Sequence, residues 1–168
     1  MPGSSEERDR FRDEVIEELK RRMREVRCLI DPLGGKVKLI GVVGSFARGD
    51  WHPGSDIDVI LVYEGVSGPH WKRLDLPPVI IRGHSVEYHV LSPEEFKLLC
   101  EEARMTAYDL FNEGIIIHAD KQYLDGVRRM FDEAAERMRV AKKGSFLIRE
   151  KLSNMGENDH EARQQPII

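Results

Sequence analysis

Two aspartates one residue apart, Asp56 and Asp58, open an apolar run that continues Val59-Ile60-Leu61-Val62. Aspartate is disfavoured in strands, and like charges on one strand face repel. Something should offset that penalty, and a divalent cation with a phosphate-bearing ligand is the natural candidate. On one face the two positions lie about 7 Å apart, roughly two rises of 3.3 Å. Both carboxylates can then lean onto one Mg2+, or hold two ions about 4 Å apart. Mg2+ takes hard oxygen ligands and keeps open positions for substrate phosphates.

Upstream, Gly44-Ser45 closes an earlier apolar run, with ten residues between Ser45 and Asp56. Gly44 lets the backbone approach a ligand closely, and Ser45 offers a hydroxyl and an N–H. A helical turn over Phe46-Ala47-Arg48-Gly49 would aim its amides at the same point and suit a phosphate. Arg48 would add charge-assisted contacts. A phosphate cradle beside paired acids calls for a cation between them, which is the requirement for phosphoryl or nucleotidyl transfer. A third acid, Glu87, stands in the otherwise apolar run Val86–Leu91. It is a further metal ligand or the acceptor of a proton from an attacking hydroxyl. Each residue also has a plainer use. The acids can solvate a strand end, Arg48 can pair with Asp50, and Ser55 can turn the loop into the strand. His89, beside Glu87, reads as a partly buried, hydrogen-bonded residue rather than a base. The other histidines show no metal-ligand spacing.

These residues need elements to hold them. Ser4 with Glu7 is a capping-box pattern, and Phe11, Val15, Ile16, Leu19, Met23, Val26 and Ile30 follow the rhythm of a one-faced helix. Arg21, Arg22, Arg24 and Arg27 interleave with glutamates, as on a solvated, salt-bridged face. Asp31-Pro32-Leu33-Gly34-Gly35 stops that helix. Val37 to Val43 and Asp56 to Tyr63 are strands, the second covered on both faces except at its acidic end. Residues 64–78 form a loop, in which His70-Trp71-Lys72-Arg73 is a surface segment or a flap over substrate. Val79–Ile81 and Val86–Leu91 make a hairpin turning at Arg82–Ser85. Ser92-Pro93-Glu94-Glu95 starts a helix with the core face Phe96, Leu98, Leu99 and Cys100. A helical piece over 107–111, a short buried strand at Ile115–Ile117 and a helix over 120–140 follow. The basic residues Arg137, Arg139, Lys142 and Lys143 complement the dipole at the end of that helix. Phe146–Leu152 is expected to add a turn or two of helix. The order is α/β, a small mixed β-sheet flanked by helices.

The chain has 168 residues, enough for one domain, expected over 1–152 with a tail over 153–168. The apolar share of 40% and charged share of 33% suit a globular protein. With no apolar run long enough for a membrane span and no signal core at the N-terminus, it reads as cytoplasmic. Cys28 and Cys100 are isolated and read as small buried hydrophobes. A net charge of −4 argues against broad nucleic-acid coating.

Gly44-Ser45, ten residues, then Asp56-x-Asp58 resembles the signature of the DNA polymerase β-like nucleotidyltransferase superfamily. The fuller text Gly-Ser-Phe-Ala-Arg-Gly and Ser-Asp-Ile-Asp-Val-Ile-Leu is similar to its minimal nucleotidyltransferase branch. The likeness covers residues 37–63, with a looser one over Val86–Phe96. It implies the nucleotidyltransferase fold and an NTP, ATP being the expected one, held through Mg2+ or Mn2+ by Asp56 and Asp58. It places Gly44 and Ser45 at the phosphates and Glu87 at the third carboxylate, where aspartate is common. It implies in-line attack by a hydroxyl on the α-phosphate with loss of pyrophosphate. Where such proteins pair with HEPN-domain toxins, the acceptor is a tyrosine of the toxin. The alternatives are an antitoxin-like module that neutralises a HEPN-type partner by contact, and an inactive member of the superfamily.

Overall fold

A computed structural model describes residues 4–69, 73, 76–144 and 146–148. The chain runs helix α1 (Ser5–Ile30), strand β1 (Val37–Val43), the short helix α2 (Gly44–Arg48) and strand β2 (Ile57–Tyr63). A hairpin of β3 (Ile80–Ile81) and β4 (His84–Leu91) follows, then α3 (Pro93–Glu101). Helix α4 (Met105–Tyr108) passes directly into a π-helical turn, Asp109–Glu113. Strand β5 (Ile115–Ala119), helix α5 (Lys121–Arg137) and the hairpin β6 (Ala141–Lys143) and β7 (Phe146–Ile148) complete it. No helix among the described residues is long and apolar enough to cross a membrane.

The main sheet has the order β3-β4-β2-β1-β5, and all neighbours are antiparallel except β2 and β4, which run parallel. Period-two alternation decides what each face buries. On one face Ile57, Val59, Leu61, Ile40 and Val42 meet Val15, Ile16, Leu19, Met23 and Val26 of α1. On the other, Leu39, Ile60, Val62 and Leu91 meet Phe96 and Cys100 of α3, Leu110, and Val127, Phe131 and Ala134 of α5. Strand β2 is therefore apolar on both sides, as a central strand requires. Capping boxes start α1 at Ser4 with Glu7 and α3 at Ser92 with Glu95. The glutamates on α1 pair with Lys20, Arg21 and Arg22, as the interleaved charges imply.

Several expectations are corrected. The hairpin turn is the two residues Arg82 and Gly83, with φ of 49° and 89°, so His84 and Ser85 belong to β4. That matches the two-residue turns whose twist suits a hairpin. Among the described residues strand β5 pairs with β1 alone and is an edge, which leaves Ile116 exposed rather than buried. Leu98 points outward from α3 while Phe96 and Cys100 fill the core. Helix α5 stops at Arg137, and Arg139 sits at φ 45°, which a continuing helix does not allow. Phe146–Ile148 is a strand paired with Ala141–Lys143, not helix, so Lys142 and Lys143 lie beyond the helix end they were expected to complement. Cys100 is buried, which pushes its thiol up to about 12, but Cys28 is exposed. The segment His70–Lys72 and residues 149–168, with the expected end of the domain and the tail, lie outside the described residues. Arg73 is described. Its guanidinium donates to both Glu95 carboxylate oxygens at 2.6 Å and to the Val90 carbonyl at 2.8 Å, tying the loop after β2 to the start of α3.

Candidate active site

The site begins where β1 hands over to α2. Val43 pairs with Asp58, and Gly44 follows at φ +72°, a left-handed conformation that only glycine adopts cheaply. A Cβ on Gly44 would stand 2.2 Å from Asp58 Oδ2, so the glycine is required twice, by its backbone and by the carboxylate beside it. Helix α2 is too short to be stable alone. Arg12 of α1 secures it by donating from Nε to the Phe46 carbonyl at 2.8 Å and from Nη2 to the Ala47 carbonyl at 2.9 Å. The Phe46 ring stacks on Trp51 at 5.3 Å between centroids, with Phe11 and His84 packed around them. His84 Nδ1 lies 2.7 Å from the Ser55 carbonyl. A carbonyl only accepts, so Nδ1 carries the proton and fixes the backbone just ahead of Asp56. The Ser45 carbonyl accepts from Gly49 and Asp50, closing the turn.

Across the parallel pair, Asp58 is the register partner of Glu87. His89, two residues on, projects from the same face. Its Nε2 lies 3.5 Å from Asp58 Oδ1. One donor atom each from Asp58, Glu87 and His89 lie within 4.8 Å of one another. Ligands on one ion with bonds of about 2.1 Å stand roughly 3 Å apart when adjacent and roughly 4 Å when opposite, so these groups fit a divalent cation. The hydrogen bond to Asp58 raises the His89 pKa, burial opposes the shift, and the Asp58 and Glu87 charges add to it.

The expected residues divide. Gly44, Asp58 and Glu87 come together at one mouth of the sheet. Asp56 lies one residue before β2, outside that trio, and its carboxylate accepts a hydrogen bond from the Ser85 hydroxyl. Arg48 donates to Asp50 at 3.2 Å and lies 3.8 Å from Glu113. His89 is hydrogen-bonded, as expected, but it is exposed rather than partly buried and stands in the cluster with Asp58 and Glu87. The signal for it was its alternation with Glu87. Ser85 and Arg12 carried none, because their partners are fixed only by the tertiary fold.

The nucleotidyltransferase domain family matches residues 13–117 of the chain. No curated protein matches it. Among solved structures, the chain is similar to a toxin-antitoxin crystallised with AMP-PNP, at 15% identity and a TM-score of 0.43, covering 71% of this chain and 92% of that one. It is also similar to a candidate nucleotidyltransferase from Sulfolobus solfataricus, at 22% identity and a TM-score of 0.45, with the same coverage.

Proposed function

This chain belongs to the nucleotidyltransferase domain family, and we propose that it moves a nucleoside monophosphate, AMP being the expected group, from a nucleoside triphosphate to a hydroxyl acceptor. The hydroxyl oxygen bonds to the α-phosphorus, the bond to the bridging oxygen breaks, pyrophosphate leaves, and the hydroxyl proton passes to a base. The observation that carries this reading is Asp58, seated between the Gly44 turn on one side and Glu87 on the neighbouring strand.

In this reading Asp58 and Glu87, with Asp56 beside them, hold Mg2+ or Mn2+. A divalent cation bound there supplies Lewis acidity and neutralises the charge of the phosphates. Gly44 keeps side-chain atoms out of the space before Asp58, so a triphosphate can lie along the turn with the Ser45 hydroxyl at its oxygens. Arg48 reaches a phosphate by exchanging its exposed contact with Asp50, which is worth little, for a charge-assisted one. Glu87, exposed at the same mouth, is also placed to take the proton of the attacking hydroxyl. The acceptor is a hydroxyl outside the motif, and the tyrosine of a HEPN-type partner protein is the example that the resemblance supplies.

The test is incubation with α-labelled ATP, Mg2+ or Mn2+ and host lysate, with and without the double change Asp56→Asn, Asp58→Asn. Label should appear on a protein, with pyrophosphate released, only when both the metal and the aspartates are present. Metal-independent transfer sinks the reading. Neutralisation of a partner that survives the double change moves the function to binding by contact.

A further inference from the structure

We propose that His89 is a nitrogen ligand of the cation held by Asp58 and Glu87, and that it biases the site toward first-row transition divalent ions over Mg2+. The inference rests on the reading of the site given above and adds a ligand and a metal preference to it.

Register places the imidazole there. Parallel pairing sets Asp58 opposite Glu87 and Ile60 opposite His89. Alternation then turns Glu87, His89 and Asp58 to one face, with Asp58 flanked by both β4 side chains. The 3.5 Å from His89 Nε2 to Asp58 Oδ1 is at the outer limit of a hydrogen bond. It lies between the adjacent and opposite ligand spacings on a single ion, roughly 3 Å and 4 Å. Among the described residues, the His89 ring has Asp58 as its one hydrogen-bonding partner, and its side chain is 45% exposed. A histidine kept for packing would be buried and capped, as His84 is against Ser55. The first aspartate of the sequence pair does not occupy the position that His89 fills. Asp56 is turned to Ser85 outside the trio.

The donor set is therefore two carboxylates and one imidazole. Mg2+ is bound through oxygen and gives up its waters reluctantly. Imidazole suits the first-row transition ions, and a mixed nitrogen and oxygen set tightens from Mn2+ to Co2+. An all-carboxylate site shows little of that preference.

The test is metal binding by the full chain, read without turnover. Mn2+ is titrated against the protein by the loss of the free-ion signal in electron paramagnetic resonance, then competed with Mg2+ and Co2+. Pulsed resonance on the bound Mn2+ reports a directly bonded nitrogen. Wild type should bind Co2+ more tightly than Mn2+ and Mn2+ more tightly than Mg2+, with nitrogen coupling. His89→Ala should lose the coupling. It should also weaken Mn2+ by at least the roughly 10–100-fold that even outer-shell partners of a metal site carry, and weaken Mg2+ less. His89→Gln, which restores an oxygen donor, should recover Mg2+ but not the nitrogen signal. Unchanged Mn2+ affinity, metal ranking and spectrum in His89→Ala, beside loss of binding in Asp58→Asn, overturns the nitrogen ligand and leaves the nucleotidyltransferase reading standing. No metal binding by wild type, with or without a non-hydrolysable triphosphate, overturns both.

Discussion

Two acidic clusters in this molecule have the same ingredients and opposite surroundings. At the C-terminal hairpin, Asp109 and Glu113 both hold Lys142, whose Nζ lies 2.8 Å and 2.7 Å from their carboxylates, and Arg48 stands near Glu113. At the sheet mouth, Asp58 and Glu87 lie side by side on paired strands, and neither has a lysine or arginine ion-pair partner among the described residues. The first cluster is electrically complete within the chain. The second has only His89 beside it, and the cation proposed above would supply the remaining charge. The proposed site thus rests less on the carboxylates themselves than on their being gathered without a lysine or arginine between them.

The strongest way to break this contrast is to neutralise the second cluster. Asp58→Asn should lower nucleotidyl transfer on the order of 100-fold or more, while the thermal midpoint holds or rises because a repulsion is removed. A large fall in stability would put Asp58 with the structural acids instead. Gly44→Ala comes next. Its methyl would have to displace the Asp58 carboxylate at a positive φ, so activity should fall steeply, with about 1–2 kcal/mol lost from stability as the cost of a left-handed non-glycine residue. Activity retained beside that strain would separate the turn from the site. At the other cluster, Lys142→Met should cost about 1–3 kcal/mol by leaving two acids without their shared cation, measured by denaturant unfolding, and should leave transfer by the folded enzyme unchanged.

Titration sharpens the same distinction. Burial tends to lower the Lys142 pKa, but its bonds to Asp109 and Glu113 outweigh that and leave it raised. A raised folded pKa gives stability that is complete below the unfolded value of about 10.4 and is lost as pH rises through the folded one. Asp31 runs the other way. The amides of Val37 and Lys36 donate to its carboxylate and hold its pKa below the usual range, against the opposing effect of burial. Its contribution is present above about 3.9 and fades as pH falls through the lower folded value. Lys142→Met should therefore erase part of the alkaline limb of the stability profile, and Asp31→Asn part of the acid limb. The smallest effect expected is that of Ser85→Ala, which frees the exposed Asp56 carboxylate from one hydrogen bond and should shift metal affinity by a few-fold with no change in folding.

What could be read in advance followed from local rules. Apolar alternation on β2 and β4 showed Asp58 and Glu87 as intruders, and capping chemistry at Ser4 and Ser92 marked two helix starts. Partners that depend on distant chain could not be read. The true hairpin turn at Arg82 and Gly83 moved Ser85 out of the turn and into reach of Asp56. Glu113, which accepts from Lys142, sits in a π-helical turn that no apolar rhythm announces. The strand at Phe146–Ile148 exists only because Ala141–Lys143 lies beside it.

The parallel pairing of β2 with β4 has a consequence in time as well as in space. Asp58 and His89 are separated by 31 residues, and no hairpin brings a parallel pair together. Helix α1 and the β3–β4 turn can form from nearby sequence, but the gathering of Asp58, Glu87 and His89 must wait for a long loop to close. During refolding, a cation added to the solution would meet the ligands proposed for it only at that late closure. The kinetics of metal capture would then time the completion of the sheet, and a chain stalled before that point would be helical and collapsed yet chemically silent.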